Sequence, residues 1–216
     1  MSSKAALSFL ITALFIFFGF AQFFFDILNT PFFWDELGVY SRAAIHQAVH
    51  GISLLPGSTP DVLSRGHPLL SSAYFGAGFK LFGISLTVAR LCAFVIYGAT
   101  CIISFYWIKE KISPIKALMI TIVLALQPVF FSQAFLVLPE QMLMCLTLLS
   151  IYFFDSDRDF ALVVSLAVAV LVKESALVLP IAFGFAYFLK KSSLLKTTYI
   201  SFLPLATFAI FLVLQK

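Results

Sequence analysis

The sequence predicts an all-α, polytopic membrane protein: about seven transmembrane helices, with two further surface helices in the first outer loop. Three observations predict it. Of 216 residues, 62% are hydrophobic and 11% charged, with a mean hydropathy of +1.05; soluble domains carry about 25% charged residues. The apolar residues gather in long runs, and the roughly 20 residues needed to cross a bilayer are approached repeatedly. The charged residues fall between these runs in short clusters. Residues 1–216 therefore read as a single transmembrane module with no separate soluble domain. A net charge of +4, scattered along the chain, gives nucleic acid nothing to bind. Cys92, Cys101 and Cys145 all lie inside apolar runs and read as small hydrophobic residues without disulfide or metal spacing.

The first span runs from about Ala5 to Ile27. Its apolar run exceeds the roughly 7–15 residues of a signal-peptide core, and no small-x-small cleavage site follows, so it reads as retained. Residues 29–66 form the first outer loop. Within it, Asp35 to about His50 reads as an amphipathic surface helix. Leu37, Tyr40, Ala44 and Ala48 fall on one side of that helix and Asp35, Arg42, His46 and His50 near another. Gly51 closes it, and Pro56-Gly57-Ser58-Thr59-Pro60 is irregular.

Gly66-His67-Pro68 leads into a second surface helix, Leu69 to Phe82, which carries Lys80 near its end and is broken by Gly83-Ile84-Ser85. Six spans follow, at about Leu86 to Trp107, Ala117 to Phe131, Gln141 to Phe154, Phe160 to Val172, Ala176 to Leu189, and Thr198 to Leu214. Several are short when cut at their charges, so their helices are expected to run past these limits.

Charge sets the orientation. With the N-terminus in the cytoplasm, the inner segments hold Lys4, Lys109, Lys111, Lys116, Arg158, Lys190, Lys191 and Lys196. The outer ones hold Arg42, Arg65, Lys80, Arg90, Lys173 and Lys216, spread over far more chain. Dense basic clusters in short inner loops are what the positive-inside rule expects. The acidic loop Asp155-Ser156-Asp157-Arg158-Asp159 runs against it, but acidic residues weigh little in that rule. In this orientation Asp35, Glu36, His67, Glu140, Lys173 and Glu174 all face outward, as an active site at the outer surface of a plasma (inner) membrane would require.

Each of these residues has a chemical and a plain structural reading. Asp35 and Glu36 suit a general base and a neighbour that holds a metal ion or orients an acceptor; they also suit a helix start, where acids meet the helix dipole favourably. His67-Pro68 offers a His at a helix start beside free backbone N–H groups, or simply a junction with Pro in the first turn. Glu140 is a second acid for the same pocket or another helix-start charge. Lys173 is a compact counter-ion for phosphate, or half of a turn pair with Glu174. Arg90 is a phosphate partner or a snorkelling side chain. His46 and His50 are four apart, as in a zinc pair, yet no third ligand is marked and a wet helix face explains them equally.

The ordered set resembles a family. Asp35-Glu36 after the first span comes first, then His67-Pro68-Leu69-Leu70, Leu81-Phe82-Gly83-Ile84-Ser85 and Arg90. Pro139-Glu140 and Lys173-Glu174 complete it. That order, over residues 1–216, resembles the GT-C membrane glycosyltransferases, in the branch of protein O-mannosyltransferases and lipid A aminoarabinose transferases. The resemblance implies an inverting glycosyltransferase that takes a sugar from a polyprenyl-phosphate donor and passes it to a lipid, glycan or protein acceptor outside. It implies Asp35 as catalytic base with Glu36 in support, and His67, Arg90, Glu140 and Lys173 as substrate-binding residues. A divalent metal ion stays open as cofactor.

Two departures bear on that expectation. Leu69 stands where the family has a second Pro, and family members usually continue with further spans and an outer domain. A minimal enzyme, a truncated one, and a module working with a partner subunit are therefore all expected alternatives. So is a non-catalytic membrane subunit or lipid-carrier-binding protein.

Overall fold

The computed structural model describes residues 24–191 and 193–215, and every regular element among them is helical. The predicted first span lies outside the described residues except for its end, which is helical at 24–28. A π-helical turn, Glu36–Tyr40, runs directly into α1 (Ser41–His50), which Gly51 ends at a φ of 120°. After the short α2 (Asp61–Ser64) comes α3 (Leu70–Phe82), one residue inside its predicted start and ended by Gly83 at a φ of 91°.

The longer helices follow. Ser85 caps α4 (Leu86–Lys109), its hydroxyl accepting from the Val88 N–H at 3.2 Å. The predicted third span is not one helix. It divides into α5 (Pro114–Ala125) and α6 (Pro128–Gln133), because Pro128 has no N–H to continue a helix and the Gln127 side chain caps the new one. The Gln127 side-chain oxygen Oε1 accepts from Val129 N at 2.9 Å and Phe130 N at 3.2 Å. Then come α7 (Pro139–Asp155), α8 (Asp159–Val170), a 3₁₀ turn (Glu174–Leu177), α9 (Val178–Lys191) and α10 (Leu194–Gln215).

Two of these helices are long and apolar enough to cross a membrane: α4, with 24 residues, and the stretch Leu194–Leu214 of α10. The apolar helices α5 and α8 have 12 residues each. The core joins α1 and α3 to the bundle: Ala44 of α1 and Phe75 and Phe79 of α3 pack with Ala89, Ala93 and Ile96 of α4, Val137, Met142 and Val172. Close approach is built into the contact, since a Cβ at Gly78 would stand 2.4 Å from the Cys92 sulfur. All three cysteines are free.

One buried ion pair fastens three pieces of chain. Glu36 and Arg90 have side chains only 1% exposed and bind each other through both carboxylate oxygens. Arg90 Nη1 also donates to the Phe135 carbonyl at 2.6 Å, and Nη2 to the carbonyls of Thr30 at 3.0 Å and Pro31 at 2.9 Å. Glu36 accepts in addition from the Val137 N–H at 2.6 Å and the Phe33 N–H at 3.2 Å. The loop at 30–36, the start of α4 and the strap at 134–138 are thus tied to one point. Every charge in it is paired and hydrogen-bonded, which is the condition for burying charge at all.

At the opposite end of the helices lies a charge clamp. Asp155 takes Lys111 at 2.9 Å and the Trp107 indole N–H at 2.8 Å; Asp157 takes Lys190 at 3.0 Å; Asp159 takes Lys196 at 2.6 Å. The acidic loop that runs against the positive-inside pattern is therefore the counter-charge for lysines from three other segments. The Trp107 and Lys111 hydrogen bonds hold the Asp155 carboxyl below its ordinary value of 3.8, against the opposing effect of burial.

Two outcomes follow. Arg90→Met leaves Glu36 buried without a counter-charge and is expected to cost about 3–5 kcal/mol of stability, much of it regained by adding Glu36→Gln. Thermal unfolding in detergent measures this, and an unchanged transition in Arg90→Met would remove the pair from its central place. For Asp155, a lowered folded pKa contributes stability that is present above the unfolded value and is lost as pH falls through the folded one. Asp155→Asn should therefore narrow the gap in stability between about pH 6 and about pH 3.

Candidate active site

The end of the bundle opposite the clamp gathers five polar side chains from four places in the chain. Tyr40 comes from the π-turn, His67 from the junction before α3, Glu140 from the first turn of α7, and Lys173 and Glu174 from the link after α8. His67 Nδ1 lies 3.0 Å from Glu174 Oε2, and Lys173 Nζ donates to Glu140 Oε1 at 2.5 Å. The rings of Tyr40 and His67 stack with centroids 6.1 Å apart.

The backbone explains the meeting. The Leu70 N–H donates to the Leu171 carbonyl at 3.1 Å, which sets the link after α8 against the start of α3. Glu140 stands three residues beyond Val137, whose N–H is held by Glu36. Extended Leu138 and then Pro139 in the first turn launch α7 from that point.

Asp35 is exposed and its carboxylate has no hydrogen-bond or ion-pair partner among the described residues. It lies close enough to Tyr40 to act on that phenol. Burial pushes the Tyr40 pKa up, Lys173 pulls it down, and Glu140, Glu174 and Asp35 push it up further. Burial alone draws the Lys173 ammonium down, but the Glu140 hydrogen bond and the nearby Glu140, Tyr40 and Glu174 groups outweigh it, leaving the ammonium above its ordinary 10.5. Burial would raise the Glu174 carboxyl. Its own backbone N–H, the His67 hydrogen bond, and the His67 and Lys173 charges overcome that and hold it below 4.5. The rim thus holds the Lys173 ammonium beside the Glu140 and Glu174 side chains.

Of the residues singled out from sequence, His67, Glu140 and Lys173 come together here, with Asp35 beside them. Glu36 and Arg90 do not join the rim; they form a separate pair whose side chains are each 1% exposed. His46 and His50 stack at 4.2 Å on the outer part of α1, and among the described residues no three His, Cys, Asp or Glu side chains gather as a metal site.

Tyr40 and Glu174 were not picked out from sequence as site residues. The signal for Tyr40 is the π-turn. Its i→i+5 hydrogen bonding adds a residue to one turn, brings position 40 round towards position 35, and turns Leu37 outward, 59% exposed, away from buried Ala44. An α-helical count places Leu37 and Ala44 together, which the extra residue prevents.

Glu140 also borders an open, mostly apolar cavity of about 560 Å³, with Leu124, Phe130, Gln133, Gln141 and Met144 in its wall. The Gln133 side-chain oxygen is buried without a partner among the described residues. An elongated apolar molecule carrying one polar group fits such a cavity better than a free sugar does.

A protein-family model described as dolichyl-phosphate-mannose-protein mannosyltransferase matches residues 66–215. His67, Arg90, Glu140 and Lys173 fall within that stretch, while Asp35 and Glu36 precede it. No curated protein and no solved structure matches the chain.

The Lys173 ammonium is held up chiefly by Glu140. Glu140→Gln should therefore let burial dominate and bring the Lys173 pKa down, a shift readable by NMR of labelled lysine side chains. An unmoved Lys173 titration would show that the pair does not set the charge of the rim.

Proposed function

The chain belongs to the dolichyl-phosphate-mannose-protein mannosyltransferase family, and from that premise we propose that it moves a sugar from a polyprenyl-phosphate carrier to a hydroxyl acceptor on lipid, glycan or protein. The transfer takes place at the outer face of the plasma (inner) membrane, with the N-terminus in the cytoplasm. The observation that carries this reading is the meeting of Tyr40, His67, Glu140, Lys173 and Glu174 at one end of the helices, next to an exposed carboxylate with no partner among the described residues.

The chemistry is a single displacement. The acceptor oxygen attacks the anomeric carbon, Asp35 takes the hydroxyl proton, and the bond from that carbon to the phosphate oxygen breaks with its electron pair leaving on the phosphate. One displacement inverts the anomeric centre. Polyprenyl phosphate leaves as a stable anion, so the donor side needs positive charge more than a strong acid, and Lys173 supplies it. His67, fixed by Glu174, and Tyr40 line the approach. The apolar cavity bordered by Glu140 is the right kind of surface for the first isoprene units of the carrier.

Asp35→Asn should lower transfer from dolichyl phosphate mannose by about 10²–10⁴-fold, as loss of a general base does, with unchanged thermal unfolding. Lys173→Met should act mainly on KM for the donor. Undiminished transfer by purified Asp35→Asn would sink this mechanism and favour the reading as a non-catalytic, carrier-binding subunit.

A further inference from the structure

Trp34 is 79% exposed and has a φ of 45°. Each property works against the fold. A large aromatic side chain loses the benefit of burial in water, and the left-handed region is disfavoured for a residue with a Cβ. Both persist because the surrounding turn is fixed. The Glu36 N–H donates to the Phe33 carbonyl at 3.0 Å, the Gly38 N–H to the Trp34 carbonyl at 2.9 Å, and the Phe33 N–H to Glu36 Oε2 at 3.2 Å. The buried Glu36–Arg90 pair thus holds a turn that pushes the indole outward. Strain that a structure over-determines in this way is found where a ligand is met.

What stands around the ring narrows the ligand. Asp35 follows directly, exposed and without a partner among the described residues. Phe33 lies behind, ring centroid 5.8 Å away at 34°, and itself closes a cavity of about 190 Å³ over Arg90. An exposed aromatic face beside a free carboxylate matches a pyranose: its C–H face packs on the ring while a hydroxyl at its edge reaches the oxygen. The competing occupant is the bilayer surface, since Trp is common in interfacial belts. Against it, the sequence has no Lys or Arg between Lys4 and Arg42, and two acids follow Trp34 at once.

We propose that Trp34 is a stacking platform for the transferred sugar, a positioning residue that sets the pyranose ring against Asp35. The proposal rests on the reading of this corner as the site of transfer. It adds a sugar subsite in the turn before α1, separate from the Tyr40–Lys173 rim that faces the phosphate.

The chain has two tryptophans, and Trp107 donates to Asp155 at the clamp end, so Trp107→Phe leaves Trp34 as the single emitter. In that background, in detergent, dolichyl phosphate mannose is expected to quench or shift the emission of Trp34 and dolichyl phosphate is not. Trp34→Ala should reduce kcat/KM for the mannosyl donor about tenfold, the order of one aromatic contact, and Trp34→Phe should restore part of it. An equal response to both lipids, no response to either, or full activity in Trp34→Ala overturns the proposal. So does quenching by brominated phospholipid in vesicles before any donor is added, which would make Trp34 a membrane anchor. The two readings separate in Asp35→Asn. If that variant keeps the sugar-dependent emission change and loses turnover, both stand; if it keeps turnover, the base assignment fails while the emission change still reports on the platform.

Discussion

The Glu36–Arg90 pair is the constraint from which the end of the molecule that carries Glu140 and Lys173 is built. It joins the loop at 30–36, helix α4 and the strap at 134–138 through one guanidinium and one carboxylate, each 1% exposed. Its consequences run in two directions along the chain. Towards the N-terminus it fixes the turn at 33–38 and with it Asp35. Towards the C-terminus it holds Val137, and so sets where Pro139 starts α7 and where Glu140 emerges. Two carboxylates separated by 105 positions in sequence are placed by the same buried contact.

The clamp at the other end solves a different problem. Lys111, Lys190 and Lys196 come from the link after α4, the end of α9 and the start of α10, and would repel one another where those segments meet. The loop at 155–159 supplies three aspartates in alternation, one for each lysine. These contacts are partly exposed and individually weak. Their effect is register: they keep α7, α8, α9 and α10 level, so that the opposite ends of α7 and α8 bring Glu140 and Lys173 to the same height. Between the two charged ends the side chains are apolar almost throughout, as a membrane setting demands.

Much of this was legible in the sequence, because glycine and proline mark their positions strongly. Gly51, Gly83 and Pro139 end or begin helices where the pattern places them, and α3 and α4 start within one residue of expectation. The break at Pro128 is hidden in the sequence, since an unbroken apolar run masks a cap made by a glutamine. The gathering of His67, Glu140 and Lys173 at one end of the helices was legible from charge and loop order. The π-turn was not. One extra residue in a turn leaves no mark in composition, yet it decides that Tyr40 stacks on His67 within electrostatic reach of Asp35 and that Leu37 does not reach the core. Nor does sequence reveal that Arg90 and Glu36, 54 residues apart, neutralise each other. Long-range partners of buried charges come only from the packed chain.

The same contrast in burial decides which cation serves the phosphate on the proposed reading. Arg90 is the stronger phosphate ligand by chemistry, with its planar fork. To use it, a donor would have to displace Glu36 from a site without water and leave that carboxylate buried alone, at a cost of about 3–5 kcal/mol. Lys173 faces a smaller barrier. Its side chain is 24% exposed and that of Glu140 45%, so the pair is wet, and pairs of that kind are worth about 0–1 kcal/mol. A phosphate oxygen can replace the Glu140 oxygen at Lys173 for little, and the released Glu140 turns to solvent in the cavity it already borders. The adjacent acids 35 and 36 divide along the same line. Glu36 is sealed in and holds the corner together, and on the proposed reading that leaves Asp35, one residue earlier and exposed, as the carboxylate that takes the proton.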